Sequence, residues 1–207
     1  MGVLSVQNLG VSSPSGAILQ NISFSTAKHL AILGVSGSGK STLAKAFCGL
    51  LPSTFSVHYT HLALSAQAGY VFQDCISCFY PYLKIKDTFK MVLKEHTAKG
   101  KNLLESLNVP LKVWGAYPHE LSRGMASRVQ IALNLALKKE ILFLDEVTSS
   151  LDKSNTQGVI DLLLSLSVQR VVITHDEEVA LKLCDEVLVL KSGRGAYFGA
   201  IKEYLCF

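Results

Sequence analysis

Residues Gly34 to Thr42 read Gly-Val-Ser-Gly-Ser-Gly-Lys-Ser-Thr, a glycine, four residues, then Gly-Lys-Ser. This spacing predicts a phosphate-binding loop. Glycines let the backbone curl until successive N–H groups point inward as an anion nest, at the start of a helix whose dipole also favours negative charge. Gly34, Ser36, Gly37, Ser38, Gly39, Lys40, Ser41 and Thr42 are therefore the expected contacts to a nucleoside triphosphate. Lys40 reaches the outer phosphates and the Ser41 hydroxyl is placed to ligate Mg²⁺. The flanks agree, because the apolar run His29-Leu30-Ala31-Ile32-Leu33 precedes the loop and Leu43-Ala44-Lys45-Ala46-Phe47 follows it. A strand leading into a helix is what the loop requires.

At 207 residues the chain is long enough for one sizeable core, with at most a small appended lobe. Hydrophobic residues make up 49% and charged residues 17%, with a mean hydropathy of +0.32, which points to a buried partner surface. The longest apolar stretches, Ile141 to Leu144 and Val187 to Leu190, are strand-length, well short of the roughly 20 residues a membrane-spanning helix needs. The N-terminus shows no basic region leading into an apolar core, so a cytosolic protein without a secretory leader is expected. Net charge is +4, but Lys and Arg are scattered, and no nucleic-acid partner is expected. Five cysteines, an odd count, argue for reduced thiols. Cys75 and Cys78 form a C-x-x-C pair, but zinc would need two more ligands and a redox motif a thioredoxin-like surround.

Along the chain, Leu4 to Asn8 and Asn21 to Ser25 read as short antiparallel strands separated by a turn at Ser12 to Gly16. A helix from about Lys40 to Leu50 is stopped by Pro52, and a strand follows at Ala68 to Phe72. From Cys75 to about Leu137 the spacing is helical, at Asp87 to Lys99, Lys101 to Leu107 and Ser122 to Leu137, interrupted by Pro110, Gly115 and Pro118. Strands at Ile141 to Leu144, Arg170 to Thr174 and Glu186 to Lys191 then alternate with helices at Asp152 to Ser167 and Asp176 to Leu183. That alternation predicts a mainly parallel sheet. A turn at Ser192 to Gly195 leads into a last strand, Ala196 to Phe198. The expected fold is α/β: a phosphate-loop core with an antiparallel N-terminal β portion and a small helical lobe at about 75–137, all within one domain over 1–207.

The strand Ile141-Leu142-Phe143-Leu144 ends in Asp145-Glu146. An acid at such a strand end can face the nucleotide, with Asp145 holding the Mg²⁺ water shell and Glu146 orienting and deprotonating the water that attacks the γ-phosphate. Taken alone, the pair also reads as two surface carboxylates closing a strand.

The phosphate loop, Gln73 in Val-Phe-Gln-Asp, Leu121-Ser122-Arg123-Gly124-Met125, Asp145-Glu146, Ser149-Ser150-Leu151-Asp152 and His175 in Ile-Thr-His-Asp occur in an order that resembles an ATP-binding-cassette ATPase. The resemblance covers nearly the whole chain. It is nearest to the peptide and nickel importers, because Phe72-Gln73-Asp74 is followed by Tyr80-Pro81 and Tyr117-Pro118-His119-Glu120-Leu121-Ser122 runs into Gly-Met. It implies an ATP-hydrolysing subunit, with ATP and Mg²⁺, working peripherally on the cytoplasmic face of the membrane. The implied partners are a second cassette, identical or different, permease subunits and, indirectly, a solute-binding protein. Gln73 would sense metal and attacking water, with Ser41 and Asp145 completing the Mg²⁺ site. Ser122 and Gly124, at a helix N-terminus, would reach the γ-phosphate held by the other cassette. Asp152 would bridge the two cassettes, and His175 would contact the γ-phosphate and position Glu146. Each has a plainer alternative: Gln73 as a loop amide, Ser122 as a helix N-cap, His175 as a strand-end histidine.

Three departures qualify the resemblance. Arg123 stands where the family's Leu-Ser-Gly-Gly-Gln pattern has its first glycine; Met125, in place of Gln, also occurs in the peptide and nickel branch. No aromatic lies near Ser13 to stack on adenine. The stretch from Leu50 to Gly69 is short for the family's antiparallel lobe, and a trimmed cassette without the C-terminal extension of peptide importers is expected. A cassette serving a non-transport system, or one that binds ATP and turns it over poorly, is the alternative reading. A switch GTPase would need an Asn-Lys-x-Asp motif, which is absent. Phe79, Tyr80, Tyr82 and Leu83, just after Gln73, are expected to be exposed together as a docking surface.

Overall fold

The computed structural model describes residues 2–94, 97–149 and 153–205. The chain opens with strands β1 (Leu4–Ser13), β2 (Gly16–Thr26) and β3 (Leu30–Leu33), helix α1 (Lys40–Phe47), and strands β4 (Ser56–His58), β5 (His61–Leu64) and β6 (Ala68–Val71). Helices α2 (Ile85–Leu93), α3 (Thr97–Ser106) and α4 (Arg123–Ala136) follow, with short 3-10 turns at Leu111–Gly115 and Pro118–Glu120. Then come β7 (Ile141–Asp145), α5 (Lys153–Ser165), β8 (Gln169–Ile173), α6 (Glu177–Leu183), β9 (Glu186–Lys191), β10 (Arg194–Ala200) and α7 (Ile201–Leu205). The chain divides into two compact units. The first comprises Met1–Tyr70, Glu140–Glu146 and Ser167–Phe207; the second comprises Val71–Lys139 and Val147–Leu166.

The first unit holds the α/β sheet, in the order β10-β9-β3-β8-β7-β6. Strands β9, β3, β8 and β7 run parallel, and β10 pairs antiparallel with β9. Every residue of β3, β7 and β8 is buried, and apart from Gln169 and Arg170 at the start of β8 and Asp145 at the end of β7 these strands read as apolar runs rather than alternating ones. Phe47 of α1 stacks on Phe143 of β7 with ring centroids 6.0 Å apart, fixing the helix after the loop against the sheet. At the opposite end of the strands, Arg170 N donates to His29 Nδ1 at 3.1 Å. Burial and the Arg170 charge lower the His29 pKa against the opposing pull of Asp185.

The antiparallel sheet is centred on β1, with β2 on one side and β4 and β5 on the other. Its strands are longer than the sequence pattern indicates. Leu4 and Val6 are buried, then Leu9 and Val11, so the inward parity flips midway. Asn8 (φ 54) and, across in β2, Asn21 (φ 53) take the left-handed conformation at the flip, where the register of the pair shifts. Asparagine tolerates that region better than other side chains. The turn between β1 and β2 narrows to Pro14 and Ser15. Strand β4 is exposed at all three residues and so carries no hydrophobic alternation to read.

The second unit is helical, over α2, α3, α4 and α5. Phe89 is fully buried with its ring 5.3 Å from that of Trp114. A Cβ on Gly100 would collide with the Phe89 ring, so glycine lets α3 approach α2. Helix α2 starts at Ile85, ahead of the expected Asp87, because Ile85 is itself a buried anchor. In α4, Ser122 is the N-cap and accepts from Met125 N at 3.2 Å.

Candidate nucleotide-binding site

The loop from Gly34 to Gly39 joins β3 to α1, the expected junction. Gly34 (φ 149) and Gly39 (φ 101) have backbone that L side chains rarely adopt. A Cβ at Gly34 would strike the Leu190 carbonyl, and one at Gly39 the Leu19 side chain, so both positions demand glycine for space as well as for φ. Lys40, 7% exposed, folds back over the loop and donates to Gly34 O at 2.7 Å and Val35 O at 3.1 Å. Gly193 N donates to Ser38 O and Gln20 N to Gly193 O, tying the loop to the turn between β9 and β10. No side chain caps α1. Ser38 Oγ is buried without a partner among the described residues. Uncapped N–H groups, an ammonium over the loop and an orphaned hydroxyl fit a bound phosphate chain.

Asp145 ends β7 with 4% exposure. Ser41 donates to its Oδ1 at 2.8 Å and the Tyr70 hydroxyl to its Oδ2 at 2.6 Å. The Ser41 hydroxyl and the Asp145 carboxylate thus sit together beside the loop, oxygen groups of the kind suited to Mg²⁺. Tyr70, on β6, has no motif of its own and was not anticipated from sequence.

Glu146 leaves the strand in the left-handed conformation (φ 51), which costs a residue with a Cβ about 1–2 kcal/mol. Its N–H donates to Ile173 O at 2.9 Å. Both carboxylate oxygens lie 3.1 Å from His175 Nδ1. A carboxylate only accepts, so Nδ1 carries the proton and Nε2 is left to face outward. The His175 side chain is 67% exposed and that of Glu146 only 12%: the carboxylate is sheltered while the imidazole is open to an incoming group.

In the second unit, Gln73 follows β6. The Cys75 thiol donates to Phe72 O at 2.9 Å and that of Cys78 to Asp74 O at 3.2 Å, so both thiols of the C-x-x-C pair serve the backbone turn around Gln73. Burial pushes the Cys75 thiol up to about 11. Hydrogen bonds from Ser77, and in smaller measure the Arg123 guanidinium, hold the Asp74 carboxyl below its usual range. Ser122 and Gly124 occupy the start of α4, with Arg123 between them. Phe79 departs from expectation: it is 6% exposed, filling the lobe's core, while Tyr80 and Tyr82 are 63% and 91% exposed. Asp152 lies outside the described residues.

A family model described as "ABC transporter" matches residues 19–149. The oligopeptide transport ATP-binding protein OppD of Haemophilus influenzae is 30% identical over 97% of this chain and 73% of its own length. The metal-staphylopine import system ATP-binding protein CntF of Staphylococcus aureus is 33% identical over 80% of this chain and 74% of its own. Among solved structures, cbiO1 from Clostridium perfringens, part of the ABC transporter complex cbiONQ, superposes with a TM-score of 0.79 at 26% identity, covering 98% of this chain and 90% of that one.

Proposed function

The chain belongs to the ABC transporter family of ATPases, and from that premise we propose that it powers an importer for a peptide, or for nickel or another metal in free or chelated form. The observation that carries the reading is convergence at one edge of the sheet. The phosphate loop leaves the C-terminal end of β3, Asp145 and Glu146 close β7, and His175 lies just past β8, which is where open α/β sheets bind ligands. OppD and CntF, named for oligopeptide and metal-staphylopine transport, support the substrate class.

Lys40 and the loop amides hold the β- and γ-phosphates, and Ser41 and Asp145 hold Mg²⁺, with Gln73 reporting on metal and water. Bound Mg²⁺ supplies neutralisation of charge on the transferred phosphoryl group. Glu146 takes the proton of the attacking water. His175 orients Glu146 through Nδ1; to donate to the γ-phosphate through Nε2 at the same time it must be an imidazolium. Ser122 and Gly124 serve the ATP of a second cassette, and Asp152 bridges the pair. Exposed Tyr80 and Tyr82, which follow Gln73 in the sequence, meet a permease. Among the described residues no helix is long and apolar enough to cross a membrane; attachment at the cytoplasmic face is through that permease. A solute-binding protein acts through the permeases, and nucleic acid has no part.

Deleting the gene and following uptake of a radiolabelled oligopeptide and of radiolabelled nickel tests the reading. One uptake is expected to fall to background and to return with the wild-type gene but not with Glu146→Gln. If both uptakes persist unchanged, peptide and nickel are excluded as its substrates.

Arg123 favours a second, asymmetric reading, in which one of the two ATP sites behaves differently. In trans, its guanidinium can donate to the partner's γ-phosphate. Arg123→Gly on this chain alone is then expected to weaken ATP-driven closure of the pair by about 1.5–3 kcal/mol, the size of a charged hydrogen bond. Unchanged closure with faster turnover in the reconstituted pair would instead identify Arg123 as an obstruction.

A further inference from the structure

The segment that carries Gln73 is held at both ends by one buried side chain. Gln130 of α4, 4% exposed, accepts from Phe72 N at 2.9 Å through Oε1 and donates to Cys75 O at 3.1 Å through Nε2. The donor and the acceptor across from it fix which way the amide points. These bonds bracket Gln73 and Asp74, and the Cys75 thiol, kept protonated by burial, closes the same turn onto Phe72 O.

The helix face around Gln130 does not by itself call for an amide. Ala126, Val129, Ile131 and Ala132 are buried and apolar, with Ser127 the other buried polar residue of the helix, and a primary amide among them is unfavourable unless both its functions are satisfied. Here both are satisfied by the backbone on either side of Gln73. The same helix also acts on the segment through charge, in smaller measure. Arg123, whose charge bears on Asp74, is seven positions before Gln130, two turns away and on the same face. Its neighbours Ser122 and Gly124 are the residues assigned to the partner's γ-phosphate.

We propose that Gln130 is a positioning residue that locks the Gln73 segment to α4, so that the glutamine sensing this chain's own nucleotide and the helix start reaching the partner's nucleotide move as one body. The proposal rests on the roles given above to Gln73 and to the start of α4. Without the amide, Gln73 can shift relative to Ser122 and Gly124, and closure on the partner's ATP no longer sets the glutamine for hydrolysis.

The test uses this chain assembled with its partner cassette and permeases. Gln130→Met keeps length and removes both bonds; Gln130→Glu keeps the acceptor for Phe72 N–H and loses the donor to Cys75 O, and carries the test if the Met variant fails to assemble. For Gln130→Met, kcat for ATP is expected to fall about tenfold, the loss of roughly two ordinary hydrogen bonds, with KM changed by less than about twofold because the phosphate loop is left intact. Gln130→Glu should show the same split, to a smaller degree. Amides of 72–75 should exchange hydrogen faster in both. The decisive measurement is the pair with Gln73→Ala: once Gln73 is removed, Gln130→Met should lower kcat little further, whereas a purely structural defect would add in full. Faster amide exchange with unchanged kcat, or full additivity with Gln73→Ala, overturns the proposal. If Gln73→Ala alone leaves kcat intact, the role of Gln73 falls first and takes the proposal with it. If Gln73→Ala lowers kcat and Gln130→Met does not, only the clamp fails.

Discussion

Replacing Glu146 by glutamine is expected to leave ATP binding near the wild-type level and to lower turnover by about two to four orders of magnitude, the usual contribution of a positioned general base. The substitution changes charge and basicity but hardly changes shape. Glutamine retains an oxygen to accept from His175 Nδ1, the contact made at 3.1 Å by Glu146. The bond from Glu146 N to Ile173 O belongs to the backbone and is untouched. The left-handed backbone is strained for either residue alike, so stability should shift little. Equilibrium binding of ATP followed by single-turnover hydrolysis, in the assembled pair, separates the two effects. Hydrolysis at the wild-type rate would remove Glu146 from the role of base.

Lys40→Ala is expected to produce the opposite split, with binding itself lost. The ammonium brings a positive charge to the phosphates at a site with 7% exposure, where a charged hydrogen bond contributes about 1.5–3 kcal/mol. Two such bonds amount to at least a hundredfold in affinity. A second effect adds to the first, because Lys40 Nζ also satisfies the Gly34 and Val35 carbonyls, and removing it loosens the loop that presents the amides. Arginine is no substitute, since a planar guanidinium does not fill the place of a compact ammonium. Melting with and without ATP is a direct measure: a saturating nucleotide at about a hundred times its Kd stabilises the folded state by about 2.7 kcal/mol. Lys40→Ala should show no such shift. A shift equal to that of the wild type would overturn the assignment.

Local chemistry was legible from the amino-acid order. The phosphate loop, the apolar strands around it and the carboxylates ending β7 each depend on residues within a few positions of one another, so spacing carries them without a structure. Helix capping is equally local: Ser122, whose N-cap role the sequence offers as an alternative, opens α4, and Asp176, where the sequence begins a helix, caps α6, each accepting backbone N–H groups. The parallel sheet followed from strand and helix alternating in turn, because parallel neighbours need a crossover between them.

Tertiary structure decided the rest, wherever a residue's role depends on what lies beside it rather than before or after it. Ser41 reaches Asp145 across 104 positions and Tyr70 reaches it across 75, because the order of β3, β8, β7 and β6 brings those strand ends to one edge. No pattern in the chain marks Tyr70. Gln130 looks like one polar residue on a helix until α4 packs under Phe72 and Cys75. Composition groups Phe79 with Tyr80, Tyr82 and Leu83, yet the lobe's core takes Phe79, half-buries Leu83 and leaves the two tyrosines in solvent. The bulges at Asn8 and Asn21 hid two long strands, because an alternation that changes parity partway reads as two fragments. What the sequence by itself determined was the chemistry available to this chain, through spacing and residue type. Which groups meet was decided by strand order and helix packing, because contacts between distant segments are selected by the burial of the whole chain and leave no local periodicity behind.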